Sequence, residues 1–87
     1  MSGFRVEVRV MPRAALLDPQ GQAVERALHA LGFGEVARVR VGKHVVLDVE
    51  AATGEEAAAR ARAMCDRLLA NPVTEDYDLV VDGDTSR

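Results

Sequence analysis

Residues 4–11 (Phe-Arg-Val-Glu-Val-Arg-Val-Met) alternate apolar and polar, placing Phe4, Val6, Val8 and Val10 on one side and Arg5, Glu7 and Arg9 on the other. The spacing predicts a strand with one buried face that ends at Pro12, which has no amide to give to a ladder. Leu17-Asp18-Pro19-Gln20-Gly21 predicts a helix start, because the Asp18 carboxylate can accept from free first-turn amides and Pro19 suits the first helical position. That helix runs to about Leu31 with Ala23, Val24, Ala27, Leu28 and Leu31 as its apolar stripe, and Gly32 supplies a left-handed stop. Alternation returns at residues 35–41, with Ala37, Val39 and Val41 on one face and Val36, Arg38 and Arg40 on the other, which predicts a second strand. Gly42-Lys43 reads as a hairpin turn into a third strand over 44–50, with Val45, Leu47 and Val49 inward.

Thr53-Gly54-Glu55-Glu56 has the spacing of a capping box, in which the Thr53 hydroxyl serves a helix amide and Glu56 reaches back to the Thr53 amide. The helix it opens carries Ala57, Ala61, Met64, Cys65 and Leu68 on one face and stops at Asn71-Pro72, where Asn71 can take the left-handed conformation. Residues 76–82 predict a last strand with Tyr77, Leu79 and Val81 inward, and Gly83 to Arg87 a frayed tail. The order is βαββαβ. It predicts an α+β fold, a ferredoxin-like or related antiparallel sheet with two helices on one face, in a single domain over residues 1–83 with a flexible tail at 84–87.

With 87 residues, 48% hydrophobic and 29% charged, one small domain accounts for the chain. A domain of this size buries only about 60–65% of the surface its unfolded chain exposes, so association with another chain is expected. Fourteen alanines and thirteen valines spread along the sequence exclude disorder, and the lack of a long uncharged apolar run excludes a membrane span. No apolar signal core follows the first Met, and the single Cys65 has no internal disulfide partner, so a cytoplasmic location is expected. Net charge is −3 but divided: residues 1–43 hold 7 basic and 4 acidic groups, residues 44–87 hold 4 and 10. Without a long basic stripe, and with Phe4, Phe33 and Tyr77 as the only rings, nucleic acid is not an expected partner.

No catalytic or metal-ligating constellation stands out. His29 and His44 lack HxxxH spacing and read as surface histidines, Cys65 falls on an apolar stripe and reads as a small buried hydrophobe, and the acids from Glu75 to Asp84 lack the spacing of a calcium loop. Two segments are more distinctive. In Asp18-Pro19-Gln20-Gly21, capping explains Asp18 and Pro19, whereas Gly21 within the first turn either permits a close approach or is indifferent. Arg40-Val41-Gly42-Lys43 reads first as a turn, with Lys43 free to meet a carboxylate or phosphate. Asp18, Gln20, Gly21, Arg40, Gly42 and Lys43 are therefore the candidate partner-docking residues.

Three segments resemble the signatures of a known family in order and spacing: Leu17-Asp18-Pro19-Gln20-Gly21-Gln22-Ala23-Val24, Val39-Arg40-Val41-Gly42-Lys43, and Leu68-Leu69-Ala70-Asn71-Pro72-Val73 with Glu75-Asp76-Tyr77. The family is PurS, the small subunit of phosphoribosylformylglycinamidine synthase, and the resemblance spans residues 4–82. Arg13, where lysine is frequent, and Thr74, where an aliphatic residue is frequent, depart from it mildly.

The resemblance implies a non-catalytic subunit needed to assemble the PurQ glutaminase with the PurL synthetase. Ammonia released from glutamine can then reach its acceptor before water protonates it. It also implies self-association as a dimer or tetramer and no cofactor on this chain, with ATP, magnesium and glutamine used by the partner subunits. Two other classes share the βαββαβ order: an ACT-like domain that binds an amino acid, and an acylphosphatase-like enzyme. The enzyme needs an arginine and asparagine placed together, and Asn71, the only asparagine, lies far along the chain from Arg13.

Overall fold

The computed structural model describes residues 2–84. Strand β1 (Ser2–Pro12) lies between β2 (Lys43–Ala51) and β3 (Glu75–Asp84) and is antiparallel to both, giving the order β2-β1-β3. The register runs from Ser2 opposite Ala51 to Val10 opposite Lys43 on one side, and from Phe4 opposite Asp84 to Pro12 opposite Glu75 on the other. It brings Val6, Val8 and Val10 into line with Leu47 and Val45 and with Val81, Leu79 and Tyr77, so the alternation of three strands builds one apolar face. The β1–β3 register slips once between Phe4 and Val6, where a β-bulge interrupts the ladder. Gly83 and Asp84 thus belong to the strand and not to a tail, and residues 85–87 of the expected tail lie outside the described residues.

Helix α2 (Gly54–Met64) covers that face: Ala57, Ala61 and Cys65 are fully buried against Val6, Val8, Val10, Val49 and Ala51. Thr53 caps it by accepting from the Glu56 amide at 3.1 Å, but Glu56 reaches back to the Ala52 amide (3.3 Å), one residue before the expected partner. The last turn, Cys65–Leu69, widens to a π turn closed by the Ala70 amide on the Cys65 carbonyl. One extra residue in that turn rotates the chain beyond it, so Leu69 takes the inward place and Leu68 is 82% exposed instead of buried. Asn71 also differs from expectation. It is not left-handed; its side-chain oxygen accepts from the Val73 amide at 2.9 Å, which turns the chain into β3.

The α+β class and the antiparallel sheet stand, but the expected strand over 35–41 and the hairpin at Gly42-Lys43 do not form. Residues 36–42 form neither strand nor helix and lead into β2 at Lys43. A two-residue hairpin turn needs positive φ, and Gly32, at 99°, is the one residue with positive φ among those described. Gly42 is held beside β1 instead, where a Cβ would collide with the Val10 carbonyl and the Met11 sulfur. Helix α1 (Pro19–Ala30) goes with this segment and not with the sheet: Gly21 is its one buried residue, Ala23, Val24 and Ala27 are exposed, and the stripe ends at Leu31, 73% exposed. The helix and residues 31–42 form an arm beyond the end of β1, and the molecule measures 51 × 28 × 14 Å. Its radius of gyration is 16.6 Å, against about 12 Å for a compact chain of this length.

The far face of the sheet is polar and open. Register sets Arg9 between His44 and Asp78; the Arg9 guanidinium donates to both Asp78 oxygens at 3.0 and 3.1 Å, and His44 Nε2 lies 3.1 Å from Glu7. Val46 and Val80 are exposed on either side of Glu7. No helix of the described residues is long and apolar enough to cross a membrane.

The close approach at Gly21 makes a test. A Cβ there would strike the Val39 carbonyl, so Gly21→Ala is expected to destabilise the fold by about 1–3 kcal/mol although alanine favours helix. Denaturant unfolding of the two proteins reads the difference, and an equal or higher midpoint for the variant would show that the arm does not lie against the helix start.

Candidate partner-docking surface

The six candidate residues come together at the Pro12 end of β1. Asp18 caps α1 with Oδ1, which accepts from the Gly21 amide at 3.0 Å, while Oδ2 accepts from the Val41 amide at 2.8 Å. One carboxylate therefore ties the helix start to the segment that leads into β2. Gly21 lets the Val39 carbonyl pass over the helix, Gly42 lies against Val10 and Met11, and the Arg40 guanidinium donates to the Pro12 carbonyl. Asp18 and Gly21 thus hold the two parts of the arm together, and Arg40 and Gly42 hold the arm to the end of β1. Gln20 and Lys43 differ: both are exposed, and their side chains make no hydrogen bond among the described residues.

The third segment reaches the same place through Arg13. Its amide donates to the Thr74 carbonyl at 2.9 Å, its guanidinium to the Pro72 carbonyl, and its Nε lies 3.5 Å from an Asp76 oxygen. Arg38 donates to the Ala14 carbonyl at 2.9 Å. Three sequence segments far apart in the chain therefore share one end of the sheet, fastened by arginines on main-chain carbonyls. Two exposed apolar residues were not evident in the sequence: Leu17, 72% exposed, precedes Asp18, and Val73, 74% exposed, lies between Pro72 and Thr74. The signal available was weak, a single arginine after Pro12, and only the strand register places Pro12 opposite Glu75.

An open cleft of about 510 Å³ on the polar face is lined by Arg9, Met11, Gly42, Lys43, His44 and the 76–78 segment, with Arg9 already engaged by Asp78. The bond from Asp78 raises the Arg9 pKa, but an ion pair this exposed adds little to stability. Burial, and next the Asp66 charge, push the Cys65 thiol up. Burial also raises Tyr77, whose hydroxyl donates to Asp66 at 3.2 Å. Among the described residues no group of three or more His, Cys, Asp or Glu side chains is placed to hold a metal ion.

Residues 5–83 match the family described as PurS: phosphoribosylformylglycinamidine (FGAM) synthase. The chain belongs to the PurS family. The PurS subunit of Bacillus subtilis is 42% identical over 74 residues, 85% of this chain and 87% of its own. That of Mycobacterium leprae is 40% identical over 75 residues, 86% and 91% of the two chains. A solved structure of B. subtilis PurS superimposes with a TM-score of 0.84 at 40% identity, covering 92% of this chain and 99% of that one. A chain in the structure of PurLQS from Thermotoga maritima gives 0.86 at 34% identity, covering 94% and 100%. The chain thus spans nearly the whole length of these PurS subunits, and its family is one of subunits of a ligase.

The doubly bonded Asp18 gives a pH test. The Val41 and then the Gly21 amide hold its pKa below the ordinary carboxylate value. A depressed folded-state pKa contributes stability that is present above the unfolded value near about 4 and is lost as pH falls through the folded one. Asp18→Ala is expected to melt below the parent chain at pH 7, with the gap closing as pH drops beneath about 4. A gap that stayed constant to about pH 2 would mean that the carboxylate charge contributes nothing.

Proposed function

We propose that this chain is the non-catalytic small subunit of phosphoribosylformylglycinamidine synthase, required to assemble a PurQ-type glutaminase with a PurL-type synthetase for ammonia transfer in purine biosynthesis. The observation that carries the reading is the match of 94% of the chain to a chain in the PurLQS structure. Family membership takes the place of the ACT-like alternative. ATP, magnesium and glutamine are used by the two larger subunits, and the work is done in the cytoplasm. The chain also associates with itself, since one sheet face, both sheet edges and the α1 stripe are left uncovered in a domain short of buried area.

Physically, the subunit offers a rigid end held by Asp18, Arg13 and Arg40, from which the Lys43 ammonium and the Leu17 and Val73 side chains project. A partner that desolvates the cation pairs it with a carboxylate or phosphate. Reconstitution with the two larger subunits tests this. Lys43→Ala is expected to weaken assembly by about 1–3 kcal/mol while the free chain melts almost unchanged, and Gln20→Ala to have a smaller effect. Calorimetric titration that gave wild-type affinity for Lys43→Ala would remove that residue from the interface.

The chain alone is expected to show neither glutaminase nor ATP-hydrolysing activity. Cys65→Ala should leave turnover of the reconstituted enzyme near wild type, because its thiol is fully buried. Loss of turnover in an assembled Cys65→Ala complex would assign the thiol a chemical role.

A further inference from the structure

The turn that leads from the end of α2 into β3 closes on itself. The Asn71 carbonyl accepts from the Thr74 and Glu75 amides at 3.2 and 2.8 Å, its side-chain oxygen accepts from the Val73 amide at 2.9 Å, and its own amide donates to the Glu75 carboxylate at 2.7 Å. Residues 71–75 therefore hold their shape by bonds among themselves. Those bonds do not fix where the turn lies against the rest of the molecule, and the β1–β3 ladder reaches it only at Glu75, opposite Pro12. Val73, in the middle of the turn and 74% exposed, goes where the turn goes.

Arg13 supplies the missing fastening. Its amide donates to the Thr74 carbonyl at 2.9 Å, its guanidinium donates to the Pro72 carbonyl, and its Nε lies 3.5 Å from an Asp76 oxygen. The two carbonyls stand on either side of Val73, and the side-chain contacts come from one planar group whose donors have fixed directions. The ion pair itself contributes little to stability, because the Arg13 and Asp76 side chains are 47% and 73% exposed. Arg13 is thus placed to orient the turn without being needed to fold it.

We propose that Arg13 is a positioning residue for assembly: by holding the Pro72 and Thr74 carbonyls it sets Val73 where an apolar site on a larger subunit receives it. The proposal rests on the reading that the chain assembles with two larger subunits, and adds which residue orients one of the contacts. An apolar side chain on a turn that is already fixed loses little conformational freedom when it is buried, so its area is converted to affinity with a small ordering cost. Lys43 provides the contrast. It lies on β2, on the other side of β1 from this turn, and no bond of Arg13 among those described reaches that strand.

Double-mutant cycles on the complex test it. Affinity for the two larger subunits is measured for Arg13→Ala, Val73→Ala and Lys43→Ala, and for Arg13→Ala combined with each of the other two. Arg13→Ala and Val73→Ala are each expected to weaken assembly about tenfold, and the two together also about tenfold, because a misplaced valine has little left to lose. With Lys43→Ala the losses should multiply. The free Arg13→Ala chain should melt close to the parent, and Arg13→Lys, which keeps a donor for one of the two acceptors, should recover part of the affinity. Wild-type affinity for Arg13→Ala would overturn the proposal. So would a lowered melt with losses that multiply in both pairs, the pattern of a merely structural role. Wild-type affinity for Val73→Ala would overturn it and leave assembly standing, whereas a parent chain that bound neither larger subunit would end the assembly reading and this proposal with it.

Discussion

The Asp18 carboxylate accepts two main-chain amides that belong to different parts of the chain, one from the first turn of α1 and one from Val41. A helix cap normally satisfies only its own helix. Here the second oxygen also fixes the segment that leads into β2, so the direction of α1 and the direction of residues 38–42 are set together. Gly21 and Gly42 make this possible because any side chain at either place would overlap main chain. The passage into β2 and the placement of the arm rest on that fastening together with the contacts of Arg40 and Gly42 with the end of β1.

The sheet that remains has a core of small side chains. Val6, Val8 and Val10 meet Ala57, Ala61 and Cys65, and larger apolar residues, among them Leu17, Leu31, Phe33 and Leu68, lie at the surface. In a chain of 87 residues this distribution leaves apolar area to be covered by other molecules. A subunit whose work is to hold larger partners in register has the opposite requirement from an enzyme: it needs stiff exposed groups, not a buried reacting centre. The arginine bonds to the carbonyls of Pro12, Ala14 and Pro72 provide that stiffness at the end where the family-like segments meet.

The sequence by itself determined the elements that depend on neighbours in the chain. Alternation at 4–11, 44–50 and 76–82 gave three strands with the correct inward residues, and Asp18-Pro19 and Thr53 marked both helix starts. The three segments resembling the PurS family were also legible, because they are matters of residue order. The candidate docking residues were legible as a set but not by role. Spacing shows that Asp18 can cap and that glycine permits approach; it does not show that Val39 is the residue that approaches Gly21.

Only the tertiary structure decided where the alternating residues 35–41 go. Alternation gives a segment a face; it does not supply the neighbouring edge that makes the segment a strand. Gly42-Lys43 has the composition of a turn, but the turn requires a φ that Gly42 does not adopt once it is pressed against Val10 and Met11. The same limit applies to Leu68: helical spacing puts it inward, and the wider turn at Cys65–Leu69 carries it to the surface. In each case local pattern fixes what a residue can do, and a contact with a distant part of the chain selects which of those things it does.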